Sequence, residues 1–234
     1  HRIARRQRQM CIRDRWDILA KHSNLPLCNV LGSSGKKKMP AYASLWRYED
    51  VEAVQDRCNH ARELGYNYIK LHEIFTPEVE AARKILGDNI PIMVDTNCPW
   101  TKDQARQILS KWEDFNLYWV EEPINPPEDF ESLSHLRSES LIPIAAGENA
   151  CTSFEFKKMF EYEAVDYAQP SVTKVGGITE FKKIISVAET FGVQVMPHSP
   201  YFGPGFLATL HLSQSVPNSG LLERFFIDFE AYIY

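Results

Sequence analysis

Short apolar runs that end on a polar or acidic residue recur from residue 39 to the C-terminal part of the chain. The runs are Met39–Ser44, Tyr68–His72, Ile90–Asp95, Leu117–Glu121, Ile142–Glu148, Ala164–Gln169, Gly192–His198 and Gly220–Glu223. Each has the length of a strand rather than a helix. Most of the intervals carry the other period. Val54, Cys58, Ala61 and Leu64 recur near every 3.6 residues and predict a helix over Val51–Leu64, with Gly65 at its C-terminal end. Similar stripes predict helices over Glu78–Leu86, Lys102–Trp112, Ser153–Glu161, Ile178–Phe191 and Phe206–Ser215. Strand and helix alternating at about 25 residues mean parallel βα units, and eight such units close naturally into a barrel. The predicted fold is therefore α/β, a TIM-type (β/α) barrel over residues 39–234. An open doubly wound sheet would leave no reason for polar residues to end nearly every strand.

The first 38 residues do not follow this plan. Trp16–Lys21 is helical in pattern, Leu25–Gly32 turns and stops, and Ser33–Lys38 reads as a solvated linker despite its three lysines. Residues 1–15 hold six arginines and one acid. Such an arm suits nucleic acid or a membrane surface, but Arg6–Asp14 resembles translated sequencing-adaptor read-through. The expectation is a non-native arm, outside the fold.

Composition narrows the class. The chain has 234 residues, 44% of them hydrophobic and 24% charged, with a net charge of −5. These are ordinary values for a globular domain, and the acidic balance gives no reason to expect nucleic acid as a partner. The five cysteines lack CxxC spacing and read as reduced thiols of a cytoplasmic protein. No apolar run approaches the roughly 20 residues of a membrane span, so no membrane partner is expected.

Candidate chemistry gathers at the ends of the strands. Asp95, Glu121 and Glu148 end three successive runs at spacings of 26 and 27 residues, which places three carboxylates at the C-terminal ends of three neighbouring parallel strands. An all-oxygen cluster of this kind suits one hard divalent cation such as Mg²⁺. Lys70 and His72 share a face of the preceding strand, predicted to point into the barrel mouth, and Asn97 shares the face of Asp95. Strand parity allows only one of Glu121 and Glu122 to point inward, and Glu121 is the choice. Asn149 follows Glu148, His198 ends the seventh run and Glu223 the eighth.

These motifs, taken in order, resemble the enolase superfamily, in the branch of mandelate racemase and muconate-lactonizing enzyme. The resemblance rests on Lys70-Leu71-His72, Val94-Asp95-Thr96-Asn97, Trp119-Val120-Glu121-Glu122-Pro123, Gly147-Glu148-Asn149, Lys174-Val175-Gly176-Gly177-Ile178-Thr179, Pro197-His198-Ser199 and Leu222-Glu223. It extends from residue 16 to about residue 230, and Trp16–Gly32 resembles the helix that ends the family's N-terminal α+β capping domain. Residues 16–38 then read as a remnant of that domain, and the chain as a fragment without its C-terminal end.

The resemblance implies a Mg²⁺ held by Asp95, Glu121 and Glu148, a substrate carboxylate bound to it, and abstraction of the adjacent proton through an enediolate. It implies His72 as base with Lys70 beside it, His198 on the opposite face, and Glu223 as an acid toward the substrate carboxylate if its pKa is raised. Asn97, Asn149 and Ser171 are assigned to the substrate. One departure matters. Racemase-like members orient the seventh-strand histidine with an aspartate on the sixth strand, and Ser171 stands at that position. His198 then suits a general acid toward a leaving hydroxyl, which favours dehydration of a hydroxy or sugar acid over a racemase or epimerase. A non-catalytic metal-binding scaffold is a separate alternative, and an arm-dependent nucleic-acid-binding barrel is disfavoured by the acidic remainder. The expected partner is a small carboxylate, with a homo-oligomer possible by analogy.

Overall fold

A computed structural model describes residues 15–33, 38–216 and 219–227. The arginine-rich arm before residue 15 and most of the lysine linker lie outside them. Eight parallel strands follow one another around a sheet: β1 Ala41–Ser44, β2 Ile69–Leu71, β3 Ile92–Asp95, β4 Leu117–Glu121, β5 Ile144–Ala146, β6 Tyr167–Ala168, β7 Gln194–Val195 and β8 Leu222–Phe225. Sequential strands pair from β1 to β7, and β8 pairs with β1. The ring closes between β7 and the approach to β8, through a parallel bridge of Val195 with Ser219 and an N–H of Gly220 donated to the Val195 carbonyl at 3.1 Å. This is the expected barrel.

Alternation along the strands makes two cores. Outward residues such as Ala43, Ile69, Leu71, Val94 and Val120 pack under the helices, while Tyr42, Met93, Trp119, Ala145 and Met196 fill the interior. Trp119 packs edge-on against Tyr42 at 5.9 Å between ring centroids, so the lower barrel is solid rather than a channel. Above that plug the inward positions become polar: Ser44, Lys70, Asp95, Glu121 and Glu223 are all buried.

The helices are α1 (residues 15–22), α2 Leu27–Val30, α3 Val51–Glu63, α4 Thr76–Leu86, α5 Lys102–Trp112, α6 Phe130–Glu139, α7 Ser153–Glu161, α8 Ile178–Phe191 and α9 Pro204–Ser215. Their ends follow capping chemistry. The Asp50 carboxylate accepts from Ala53 N at 2.7 Å to start α3, and Thr101 with Gln104 forms a reciprocal capping box for α5. The N-terminal segment is tied down. Trp16 donates its indole N–H to Thr179 at 2.9 Å, and Cys28 N donates to His211 Nδ1 at 3.3 Å.

Several boundaries differ from the sequence expectation. Helix α6 was not predicted, and a short helix, α2, occupies the segment expected only to turn. Strands β6 and β7 keep two residues each, because a parallel ladder lasts only as long as both neighbours stay in register. Strand β5 stops at Ala146, so Glu148 sits in the turn beyond it. Glu223 is the second residue of β8, not its end.

Candidate metal and proton-transfer site

The strand register brings the acids together. Asp95 pairs directly with Glu121 across β3 and β4, and Glu121 with Ala145 across β4 and β5. Gly147 then turns the chain at φ +135° and delivers Glu148 to the same rim. One carboxylate oxygen from each of Asp95, Glu121 and Glu148 lies within 4.8 Å of the others.

Basic groups surround the cluster. Lys70 is fully buried, its Nζ 2.8 Å from Glu223, 3.0 Å from Glu121 and 3.4 Å from Asp95. It lies beneath the mouth, not in it. Burial alone would lower the ammonium's pKa, but the charges of Glu121 and Glu223 hold it well above its ordinary value. His72 stands at the rim, with Nδ1 2.5 Å from the Leu45 carbonyl and Nε2 3.2 Å from Asp95 Oδ2. Across the mouth, His198 Nε2 lies 2.6 Å from Glu148 Oε2 and Lys174 Nζ 3.1 Å from Glu148 Oε1.

The charges of the acids divide unevenly. Burial would raise Asp95, but Lys70 and His72 pull it far below the usual carboxylate range. Burial likewise opposes ionisation of Glu148, yet the hydrogen bond and charge of His198, with help from Lys174, bring it down to about 2. Glu121 goes the other way: burial and the neighbouring Asp95 charge push it well above its ordinary value despite Lys70. One carboxylate in the group is thus short of positive charge, and all the donors in the cluster are oxygens. These residues fit a hard divalent cation.

One expectation is corrected. Glu223 does not carry the raised pKa required of an acid. Burial would raise it, but Lys70, His198 and the N–H of Ser199 at 2.7 Å hold it low, so it is the charged partner of Lys70. Glu122, the next residue, is buried as well but stays outside the three-carboxylate cluster, as strand parity required. It leaves the strand at φ +46° and accepts the Gly147 N–H at 2.9 Å, bracing the turn that carries Glu148.

A cleft of about 660 Å³ opens over the cluster, lined by His72, Asp95, Asn97, Glu148, His198 and the aromatic pair Trp46 and Phe225. Asn97 accompanies Asp95 as expected, donating to Asp95 Oδ1 through its backbone N–H at 3.0 Å and its side chain at 2.9 Å. Asn149 and Ser171 do not line this cleft. Asn149 turns to Cys98 at 3.8 Å, and Ser171 to Tyr201 at 2.5 Å. Sequence reasoning missed Arg47, which donates to the carbonyls of His72 and Thr96 and to Asn97 Oδ1, tying together the tips of three strands. It also missed Glu73, buried beneath the loop that follows β1, where it accepts the N–H groups of Tyr48 and Glu49 at 2.8 and 3.1 Å. A larger cleft of about 760 Å³, between α1, α2 and α9, holds no comparable set of acids.

Comparison with known proteins agrees with this geometry. The family described as "Enolase C-terminal domain-like" matches residues 53–233. L-talarate/galactarate dehydratase of Salmonella typhimurium is 32% identical over 219 residues, covering 90% of this chain and 53% of that protein. Arabinonate dehydratase of Saccharolobus solfataricus is 31% identical over 218 residues, covering 89% and 57%. The chain thus spans little more than half the length of these relatives. Among solved structures, an enolase superfamily member from Polaromonas sp. JS666 superposes with a TM-score of 0.84 at 33% identity, covering 92% of this chain and 58% of that one. L-talarate dehydratase from the same organism, complexed with Mg and L-glucarate, gives 0.79 at 32% identity, covering 90% and 59%.

Proposed function

Because the chain belongs to the enolase C-terminal domain-like family of the enolase superfamily, we propose that it carries the metal and proton-transfer site of a Mg²⁺-dependent enzyme acting on a sugar or hydroxy acid, and that the reaction is dehydration. The observation that carries this reading is the convergence of Asp95, Glu121 and Glu148 within 4.8 Å, with His72 on one side and His198 on the other. The two relatives named above are both sugar-acid dehydratases, which supports the substrate class.

A Mg²⁺ held by the three carboxylates would bind the substrate carboxylate and stabilise charge developing as the adjacent proton leaves. The protein's own groups do the rest. The Leu45 carbonyl accepts a hydrogen bond from His72 Nδ1–H, which leaves Nε2 at the rim as the atom to receive the substrate proton. Lys70, fixed below by three carboxylates, keeps the floor of the site from accumulating negative charge. His198, on the far side, is placed to hand a proton to a departing hydroxyl. The wall of Trp46 and Phe225, 5.7 Å apart, offers an apolar surface to the C–H face of a polyol.

A racemase or epimerase remains the second reading, since the two histidines flank one cleft and could serve both faces of a carbon. The test is solvent deuterium exchange at the α-carbon, followed by proton NMR over a panel of aldonic and aldaric acids with Mg²⁺. Exchange that disappears in His72→Ala, together with a 2-keto acid product, is the expected result. Exchange with inversion and no elimination would replace dehydration by racemisation. Mg²⁺ binding with no exchange on any acid of the panel would overturn the enzyme reading in favour of a metal-binding scaffold.

A further inference from the structure

Gln169 follows β6 directly, and its backbone N–H continues the ladder by donating to the Ala146 carbonyl at 2.9 Å. By strand alternation it shares the inward face with Tyr167, and it is fully buried. Neither the oxygen nor the nitrogen of its side chain has a hydrogen-bond partner among the described residues. Buried polar groups are nearly always paired, because one left unpaired has given up water for nothing. The neighbouring strand shows where this side chain is aimed. β5 places Ala145 level with Glu121 on one side and with Tyr167 on the other. Gly147 follows two residues on, and a Cβ added there would sit 3.1 Å from the Gln169 backbone nitrogen. β5 therefore presents only a methyl group and a bare α-carbon to the interior, and Gln169 faces Glu121 across them. Glu121 senses it. Burial and the Asp95 charge raise that carboxyl, while Lys70 and the Gln169 amide draw it back.

We infer that Gln169 is a positioning residue for Glu121, its amide N–H donated to the carboxylate when that carboxylate holds a cation. The inference rests on the reading above in one respect, that Asp95, Glu121 and Glu148 bind Mg²⁺. The argument concerns which donors Glu121 has and which it needs. Lys70 Nζ lies 3.0 Å from Oε1, and the Trp119 indole N–H donates to Oε2 at 3.1 Å. With both oxygens served, the amide is left over. A cation shared by the three carboxylates competes with Lys70 for Glu121, and a ligating carboxylate stays oriented only while hydrogen bonds hold it from behind. An amide suits that place better than a second lysine, since it donates without setting another positive charge beside the metal. The small residues of β5 then have a purpose at this level of the barrel, which is to leave the path from β6 to Glu121 clear.

The consequence has a sign that a packing role would not share. An amide idle in the metal-free chain and engaged in the loaded one costs nothing to remove before Mg²⁺ is added and much afterwards. Gln169→Met keeps the length of the side chain and deletes the amide. Urea unfolding without metal and Mg²⁺ titration by calorimetry are compared with the unaltered chain. The variant should be at least as stable as the parent without Mg²⁺, and should bind Mg²⁺ about 10- to 100-fold more weakly, the loss typical of a residue that supports a metal ligand. A second measurement needs no variant and carries the test if Gln169→Met does not fold. In the ¹⁵N-labelled parent, the side-chain amide protons of Gln169, assigned by NMR from its own backbone, should move downfield as Mg²⁺ is added. Unchanged affinity in a folded Gln169→Met would overturn the proposal. So would a loss of metal-free stability in that variant, which would mean that the amide is already paired, or amide protons that ignore Mg²⁺. A parent that binds no Mg²⁺ is a different result, since it removes the metal reading and this inference together, whereas failed deuterium exchange with Mg²⁺ bound counts against the dehydratase reading alone.

Discussion

Lys70 and Glu223 form an ion pair with no exposed surface, Nζ to Oε1 at 2.8 Å, directly beneath the three-carboxylate cluster. Ser44 Oγ donates to the same Glu223 oxygen at 2.8 Å, and Lys70 also serves Glu121 and Asp95. One ammonium thus contacts three acids taken out of water. Removing one partner of a buried pair leaves an uncompensated charge, at a cost of roughly 3–5 kcal/mol. Lys70→Met should lower unfolding free energy by about that amount in metal-free buffer. Added Mg²⁺ should restore part of the loss, since the uncovered carboxylates then attract a cation more strongly. Urea unfolding with and without Mg²⁺ checks both halves. A metal-free Lys70→Met as stable as the parent would mean that the acids give up their charge instead.

Mg²⁺ itself should stabilise the folded chain, because the three ligands come together only when β3, β4 and the turn after β5 are in register. A ligand at 100 times its Kd adds about 2.7 kcal/mol when it binds only the folded state. Thermal unfolding should shift upward with Mg²⁺ and return on chelation. The shift should be largely lost in Glu148→Gln and in Asp95→Asn. Retention of the full shift in both variants would place the cation elsewhere.

Most of this barrel could be read before any coordinates. β4 was bounded correctly at both ends, because Leu117–Glu121 is apolar between an Asn and a pair of acids. α6 escaped because Phe130, Leu133 and Leu136 make a narrow stripe behind a proline-rich approach; the Asp129 cap, which accepts from Ser132 N at 3.1 Å, was the signal available. The carboxylates were legible since each ends an apolar run in the sequence. The partners in the loops were not. Tyr201 meets a serine 30 residues earlier, and Glu73 serves amides about 25 residues before it; no periodicity carries contacts between two irregular segments. Parity rightly set Glu122 apart from Glu121, but its bond to the Gly147 N–H was not legible, because the residue leaves the strand with a left-handed φ.

The Glu73 anchor sets a pH dependence away from the metal ligands. Burial pushes its carboxyl above the ordinary value, against the pull of the Tyr48 and Glu49 N–H groups. A carboxyl raised in the folded state keeps its proton to higher pH than in the unfolded chain. Its contribution to stability is therefore complete below the ordinary carboxylate value and declines as pH rises through the raised one. Glu73→Gln gives up one accepted hydrogen bond, about 1 kcal/mol, but does not titrate. The variant should be the less stable at low pH, and the gap should narrow as pH rises across the weakly acidic range. Urea midpoints of both proteins at several pH values read this directly, and a gap that widens with pH would reverse the sign.

Gly147 offers the sharpest separation of fold from site. It holds φ +135°, a conformation that favours glycine, and its N–H is the donor that Glu122 accepts. An added Cβ would lie 2.8 Å from Phe156 Cε1 and 3.1 Å from the Gln169 backbone nitrogen. The phenyl ring is packed among buried residues and the backbone of the next strand cannot yield, so the turn must move. Overpacking of this kind costs typically 1–3 kcal/mol, a loss a barrel of this size can absorb. Glu148 follows directly on that turn, however, and its carboxylate must stay within 4.8 Å of Asp95 and Glu121. Gly147→Ala should therefore remain folded by circular dichroism while its Mg²⁺-dependent thermal shift falls to the level of Glu148→Gln. If Gly147→Ala unfolds at a lower temperature but keeps the full Mg²⁺ shift, the glycine serves packing alone and the ligand turn has some other support.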